Sequence, residues 1–151
     1  MEYFIYDEHN EKIGILQNCE SIQWKFKYDE TGTFEIHCLE TSENLMNLIE
    51  NNRIIRSDGS TGFIKYVNSE DGKLEVRGYF DNLADRINPT TSQIRSVQSD
   101  LYALVNKNKR GLNITTDDIS GLAAEIELDT TWDDLRTTFS DVCKKTGYGY
   151  R

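Results

Sequence analysis

The chain has 151 residues, 37% hydrophobic, 28% charged and 11% aromatic, with a formal net charge of −9. That length sets about one domain, or a compact domain with a smaller lobe, and the aromatic content is too high for a disordered chain. The acidic balance argues against nucleic acid and anionic membrane surfaces, both of which need clustered Lys and Arg.

Cys19, Cys38 and Cys143 are far apart and form no CxxC pair, so zinc and thioredoxin-type sites have no support and reduced thiols are expected. The first residues, MEYFIYDEHNEKIG, lack the basic and apolar regions of a secretion signal. No apolar run of about 18 residues exists to span a membrane.

Tyr3–Tyr6 and Ile13–Leu16 are short apolar runs around a polar turn, which predicts a hairpin. From Ser21 to Tyr28, Ile22, Trp24, Phe26 and Tyr28 alternate with polar residues, the period of a half-buried strand. A turn at Asp29–Gly32 and a strand at Thr33–Leu39, with Phe34, Ile36 and Cys38 inward, complete a second hairpin. Ser42 is the expected cap of a short helix through Glu50, with Leu45, Met46, Leu48 and Ile49 as its apolar side. Strands follow at Arg53–Arg56, Phe63–Asn68 and Lys73–Tyr79, and one helical turn at Asp81–Arg86, closed by Asn88–Pro89.

After Pro89, the polar stretch Thr90–Ser96 leans to strand through Ile94. Ser99 is the expected cap of a helix carrying Leu101, Leu104 and Val105 and ending at Gly111, and Leu122–Leu128 is a candidate strand. In the last helix Thr131 and Asp134 resemble a capping box, and Trp132, Leu135, Phe139, Val142 and Cys143 recur at helical spacing before Gly147. Tyr148–Arg151 looks like the start of another strand, so the chain is expected to be the first part of a longer protein.

Chemistry is sparse. His9 falls in a polar turn and His37 on an outward strand face, and each reads as a surface histidine. The carboxylate pairs Asp29/Glu30, Glu70/Asp71, Asp117/Asp118 and Asp133/Asp134 sit in turns or at a helix start, where charge is favourable without catalysis. No DxDxDG calcium loop, GxxxxGK[ST], GxGxxG or GxSxG occurs. No catalytic, cofactor or metal residues are therefore assigned. Trp24, Phe26 and Tyr28 can be core or a sugar-binding platform; Tyr3, Tyr6, Tyr66, Tyr79 and Phe80 add aromatic material suited to a core or to subunit contacts.

The order of these features carries a resemblance. W-x-x-x-Y-x-x-x-G-x-F-E-I from Trp24 to Ile36 and V-x-G-Y-x-x-x-L-x-x-R from Val76 to Arg86 are its most telling parts, with "NRIIR" and "GFIKYV" between them. Over Tyr3 to Arg151 the chain resembles the N-terminal hub region of tail-tip proteins of long-tailed phages and prophages, also described as tail-associated lysin or minor tail proteins. The resemblance implies an α+β, strand-rich fold with antiparallel β-barrel-like lobes and a few short helices. It implies a first hub lobe at 1–88 and a second lobe at 89–151. It also implies a homo-oligomeric, trimeric ring at the distal end of the tail, folded in the host cytoplasm. The expected partners are the distal tail protein and the tape-measure and tail tube proteins. Lytic domains of such proteins lie further along the chain, so no enzyme activity is expected of these residues. An acidic ring lumen would keep transiting DNA from adhering. The alternatives are a carbohydrate-binding module on the aromatic strand face and a fragment of a cell-wall hydrolase working through carboxylates.

Overall fold

A computed structural model describes residues 1–111, 114–116, 118 and 124–150. The chain divides into two compact units: Met1–Lys27 with Thr31–Asp81, and Tyr28–Glu30 with the residues from Asn82 on.

The first unit is built on one antiparallel sheet of seven strands: β1 Tyr3–Tyr6, β2 Lys12–Ile15, β3 Cys19–Lys25, β4 Thr33–Leu39, β5 Arg53–Arg56, β6 Thr61–Glu70 and β7 Lys73–Tyr79. Their order is β2-β1-β5-β6-β7-β4-β3. Alternation along β4 and β7 puts Phe34, Ile36, Cys38, Leu74 and Val76 in the core and polar residues on the other face. Ile5, Leu48, Ile54 and Ile64 complete that core. The β6–β7 hairpin turns on Asp71 (φ 51°) and Gly72 (φ 74°), the two positive-φ positions that an Asp-Gly turn supplies.

Four strands separate β1 from β3 in the sheet order, yet the Tyr3 and Trp24 rings lie 5.9 Å apart. The sheet therefore curls strongly, but β2 and β3 remain its edges and it is not closed into a barrel. The expected strand-rich, antiparallel fold is thus found, with the barrel-like lobe present as an open, curled sheet. Trp24 stacks on Phe34 (5.1 Å, 21°) and on Phe80 (4.8 Å, 25°). Glycine makes room for this stack. A Cβ on Gly62 or on Gly78 would lie 2.6 Å from the Phe34 ring, and one on Gly78 would also collide with the Phe63 carbonyl.

The helix α1 spans Ser42–Asn47 and is capped by Thr41, whose hydroxyl accepts from the Asn44 amide at 3.1 Å. Its expected apolar side is corrected. Leu48 is buried, but Leu45, Met46 and Ile49 are exposed, and the inward position is taken by Asn44. Asn44 is satisfied there, donating through Nδ2 to the Leu39 carbonyl at 2.8 Å.

The second unit pairs β8 (Ser92–Ser96) with β9 (Glu125–Thr130) and adds a 3₁₀ turn at Leu83–Asp85 and the helices α2 (Val97–Asn108) and α3 (Leu135–Thr146). Its core holds Leu83, Ile94, Val97, Leu101, Leu104, Val105, Leu135 and Val142. α2 starts three residues earlier than a Ser99 cap predicts, with Ser96 at the cap position. Asp100 reaches back instead, accepting from the Arg95 and Ser96 amides at 2.8 Å each. α3 is capped by Asp134, which accepts from the Thr137 amide at 2.9 Å, so Thr131 and Trp132 lie outside it. Trp132 has φ 61° and is 70% exposed; it belongs to the loop before the helix, not to the apolar stripe. Gly147 closes α3 in the left-handed region at φ 72°.

The Leu122–Leu128 strand is found as β9, starting at Glu125, with Leu122 and Ala123 outside the described residues. Residues 148–150 form no strand; the Tyr150 amide donates to the Tyr28 carbonyl at 3.2 Å, and the Tyr150 ring packs on Phe139 at 5.3 Å. Arg151 lies outside the described residues.

Candidate functional site

A cluster of charged side chains in the first unit lies on the outer face of the sheet, where β4 and β7 run side by side. Residues two apart on a strand share a face, so Glu35 and His37 of β4 stand together. The ladder sets Glu75 of β7 opposite His37, and Arg77 opposite Glu35. His37 Nε2 and Glu35 Oε1 are 2.9 Å apart. Arg77 pairs with Glu75 and approaches Glu35 Oε2 at 3.6 Å through Nε. Its guanidinium also sits over the Tyr66 ring, 5.6 Å from the centroid. Beside this cluster the sheet face is shallowly concave, lined by Gln23, Lys25, Tyr66 and Tyr79 as well as Glu35 and Arg77.

The hydrogen bond from His37 holds the Glu35 carboxyl below the usual carboxylate range; partial desolvation opposes this and the Arg77 charge adds to it. One ligand atom each from Glu35, His37 and Glu75 falls within 4.8 Å of the others, close enough for one divalent ion. His37 therefore has carboxylate neighbours that its place in the sequence hides. Glu35 was legible at i−2 on the same face, whereas Glu75 is brought in only by the register of β4 on β7. Arg77 already engages both carboxylates, so a cation must displace it. As it stands, the cluster is an ion-pair network on a sheet surface. Ser21 of β3 is the ladder partner of His37, but the histidine Nε2 is engaged by Glu35.

His9 is exposed and lies 3.6 Å from Glu8. Members of two of the carboxylate pairs have structural roles. Glu30 pairs with Lys144 at 2.8 Å, Asp133 accepts from the Thr130 hydroxyl at 3.0 Å, and Asp134 caps α3. Glu70 and Asp71 lie at the exposed β6–β7 turn, Asp118 is exposed, and Asp117 lies outside the described residues.

The aromatic row does not form one platform. The Trp24 ring is engaged by Tyr3, Phe34 and Phe80, with the Arg56 guanidinium 5.5 Å from its centroid. Phe26 lies beyond the end of β3, 55% exposed, tilted on Phe80 at 5.0 Å. Tyr28 is exposed and belongs to the second unit. A stacked sugar needs a free ring face, and Trp24 has already spent its surface on the core.

This curled, open sheet with helices is a fold also found in a prophage tail protein. The crystal structure of prophage tail protein gp18 from Listeria monocytogenes EGD-e is similar to it with a TM-score of 0.68 and 12% identity, over 95% of this chain and 45% of that one. The chain thus spans less than half the length of that protein. Residues 2–102 match the Siphovirus ReqiPepy6 Gp37-like protein family, and the chain belongs to that family. No curated protein matches the chain. The likeness to gp18 shows the fold, and the family match places the chain among the Siphovirus ReqiPepy6 Gp37-like proteins. Among the described residues, no helix is long and apolar enough to cross a membrane.

Proposed function

We propose that the chain is an assembly module at the distal end of a long phage tail, a tail-tip or baseplate hub component that forms a ring and contacts the distal tail protein. The observation that carries this reading is the extent of the fold match: 95% of the chain superposes on less than half of a prophage tail protein. The rest of such a protein can then carry other work, while these residues supply a scaffold. The sheet offers suitable surfaces. Its edges β2 and β3 present unpaired backbone groups, and edge strands left open are ready to pair with another chain. Phe26, Tyr66 and Tyr79 are exposed aromatic rings, a residue class enriched in subunit contacts. A closed ring needs heterologous contacts that repeat by rotation, and trimeric closure is what the resemblance to tail-tip hub proteins implies. The module needs no catalysis of its own.

Native mass spectrometry of the chain, alone and with a distal tail protein of the same phage, tests this reading. The expected result is a closed oligomer or a complex with the tail ring. A strict monomer that ignores the tail protein at high concentration would overturn it.

A further inference from the structure

Two of the three thiols stand opposite one another. Cys19 on edge strand β3 is the ladder partner of Cys38 on β4. The ladder bond beside them runs from the Leu39 amide to the Asn18 carbonyl at 3.1 Å. Asn18 and Leu39 therefore form a hydrogen-bonded pair, which makes Cys19 and Cys38 the adjacent non-hydrogen-bonded pair. Such a pair has the closer approach of the two kinds, with Cα atoms about 4.5 Å apart. Disulfides form between Cα atoms roughly 4.4–6.8 Å apart, so this register brings the cysteines within bonding range. Both side chains point to the same side. Cys38 is fully buried in the core and Cys19 packs against that core while half-exposed.

We propose that Cys19 and Cys38 are a cross-linking site: free thiols in a reducing cytoplasm that close into a disulfide in oxidising surroundings, fixing the edge strand β3 to β4. The oxidant is a low-molecular-weight disulfide. The Cys19 thiolate attacks one of its sulfurs and expels a thiolate, leaving a mixed disulfide on Cys19. The Cys38 thiolate then attacks the Cys19 sulfur and expels the second small thiolate. Two protein thiols and one small disulfide thus become one protein disulfide and two small thiols. The order follows from exposure: only Cys19 needs to meet the reagent, and buried Cys38 reacts within the molecule. Burial pushes the Cys38 thiol up to about 11 and raises Cys19 as well. Few thiolates exist at neutral pH, so closure is slow there and quickens as pH rises. A slow, lasting cross-link suits a particle that folds inside a cell and persists outside it. That use rests on the tail reading, whereas the thiol chemistry does not.

The test incubates the purified chain with oxidised glutathione, denatures it, alkylates it with iodoacetamide and weighs it. The expected product is lighter by two hydrogens, binds one alkyl group (on Cys143) instead of three, and yields a tryptic pair linking Ile13–Lys25 to Tyr28–Arg53. Cys143→Ser should form the same link and bind no alkyl group, and Cys19→Ser should abolish it. Three alkyl groups after prolonged incubation at pH 8.5 would overturn the proposal. So would glutathione retained on Cys19 without closure, or a cross-link between two copies.

Discussion

Gly78 is the position where two opposed effects can be weighed against each other. It sits mid-strand in β7 without a positive φ, so backbone preference alone favours alanine there by about 0.5–1 kcal/mol. The surroundings say the opposite. An added Cβ would collide with the Phe63 carbonyl, a backbone atom of the neighbouring strand, and would lie 2.6 Å from the Phe34 ring. That ring is 2% exposed and held by Trp24, so it cannot swing away. Overpacking of this kind costs about 1–3 kcal/mol, and a backbone wall puts Gly78→Ala at the upper end, near 2–2.5 kcal/mol after the propensity gain. Gly62→Ala should cost less, because the atoms it meets belong to the Phe34 and Trp24 side chains. Urea unfolding of the first unit, read by Trp24 fluorescence in a Trp132→Phe background, measures both. Adding Phe34→Leu to Gly78→Ala should recover part of the loss, with a coupling of about 1 kcal/mol between the two sites. A neutral or stabilising Gly78→Ala would refute the reasoning, since Phe34 could not then lie over these glycines.

Asp134→Ala should destabilise the second unit by about 1 kcal/mol by leaving the Thr137 amide uncapped, seen as a lower urea midpoint by far-UV circular dichroism. Trp24→Ala should cost about 3–5 kcal/mol, the loss expected for a core aromatic, whereas Phe26→Ser should leave the midpoint nearly unchanged. Glu35 and Asp58 are both held below their usual range, Glu35 first by the His37 hydrogen bond and Asp58 first by the Ser60 amide. Their folded values are depressed, so their contribution is present above the unfolded carboxylate range and fades as pH falls through the folded values. Urea midpoints between pH 6 and 3 should therefore decline, and Glu35→Gln should flatten that decline. Zinc titrated by calorimetry should bind weakly to the chain and more tightly to Arg77→Ala, which frees the Glu35 and Glu75 carboxylates; equal affinity would rule out Arg77 as the occupant of that cluster.

The strands of the first unit were legible because alternation is a local signal. Ile22 and Trp24 on β3, and Phe34, Ile36 and Cys38 on β4, lie inward where period two puts them. Helices misled where apolar residues did not mean burial. Met46 is 73% exposed and Asn44 is buried, because a six-residue helix can turn only a narrow side inward and Asn44 finds carbonyl partners there. Trp132 fell on the helical spacing of α3 but lies before its Asp134 cap. The polar cluster was half visible: Glu35 and His37 share a face by sequence, but Glu75 and Arg77 join them only through the β4–β7 register. The opposition of Cys19 and Cys38 is likewise a matter of register and of the bulge beside Cys19, neither of which spacing reveals.

Position on the virion bears most directly on the account. Immunogold electron microscopy of particles from the phage or prophage that encodes the chain, with antibody raised against it, reads that position. Gold confined to the distal end of the tail is the predicted result. Gold on the capsid or along the tail shaft, or purified particles that carry no label at all, would contradict it.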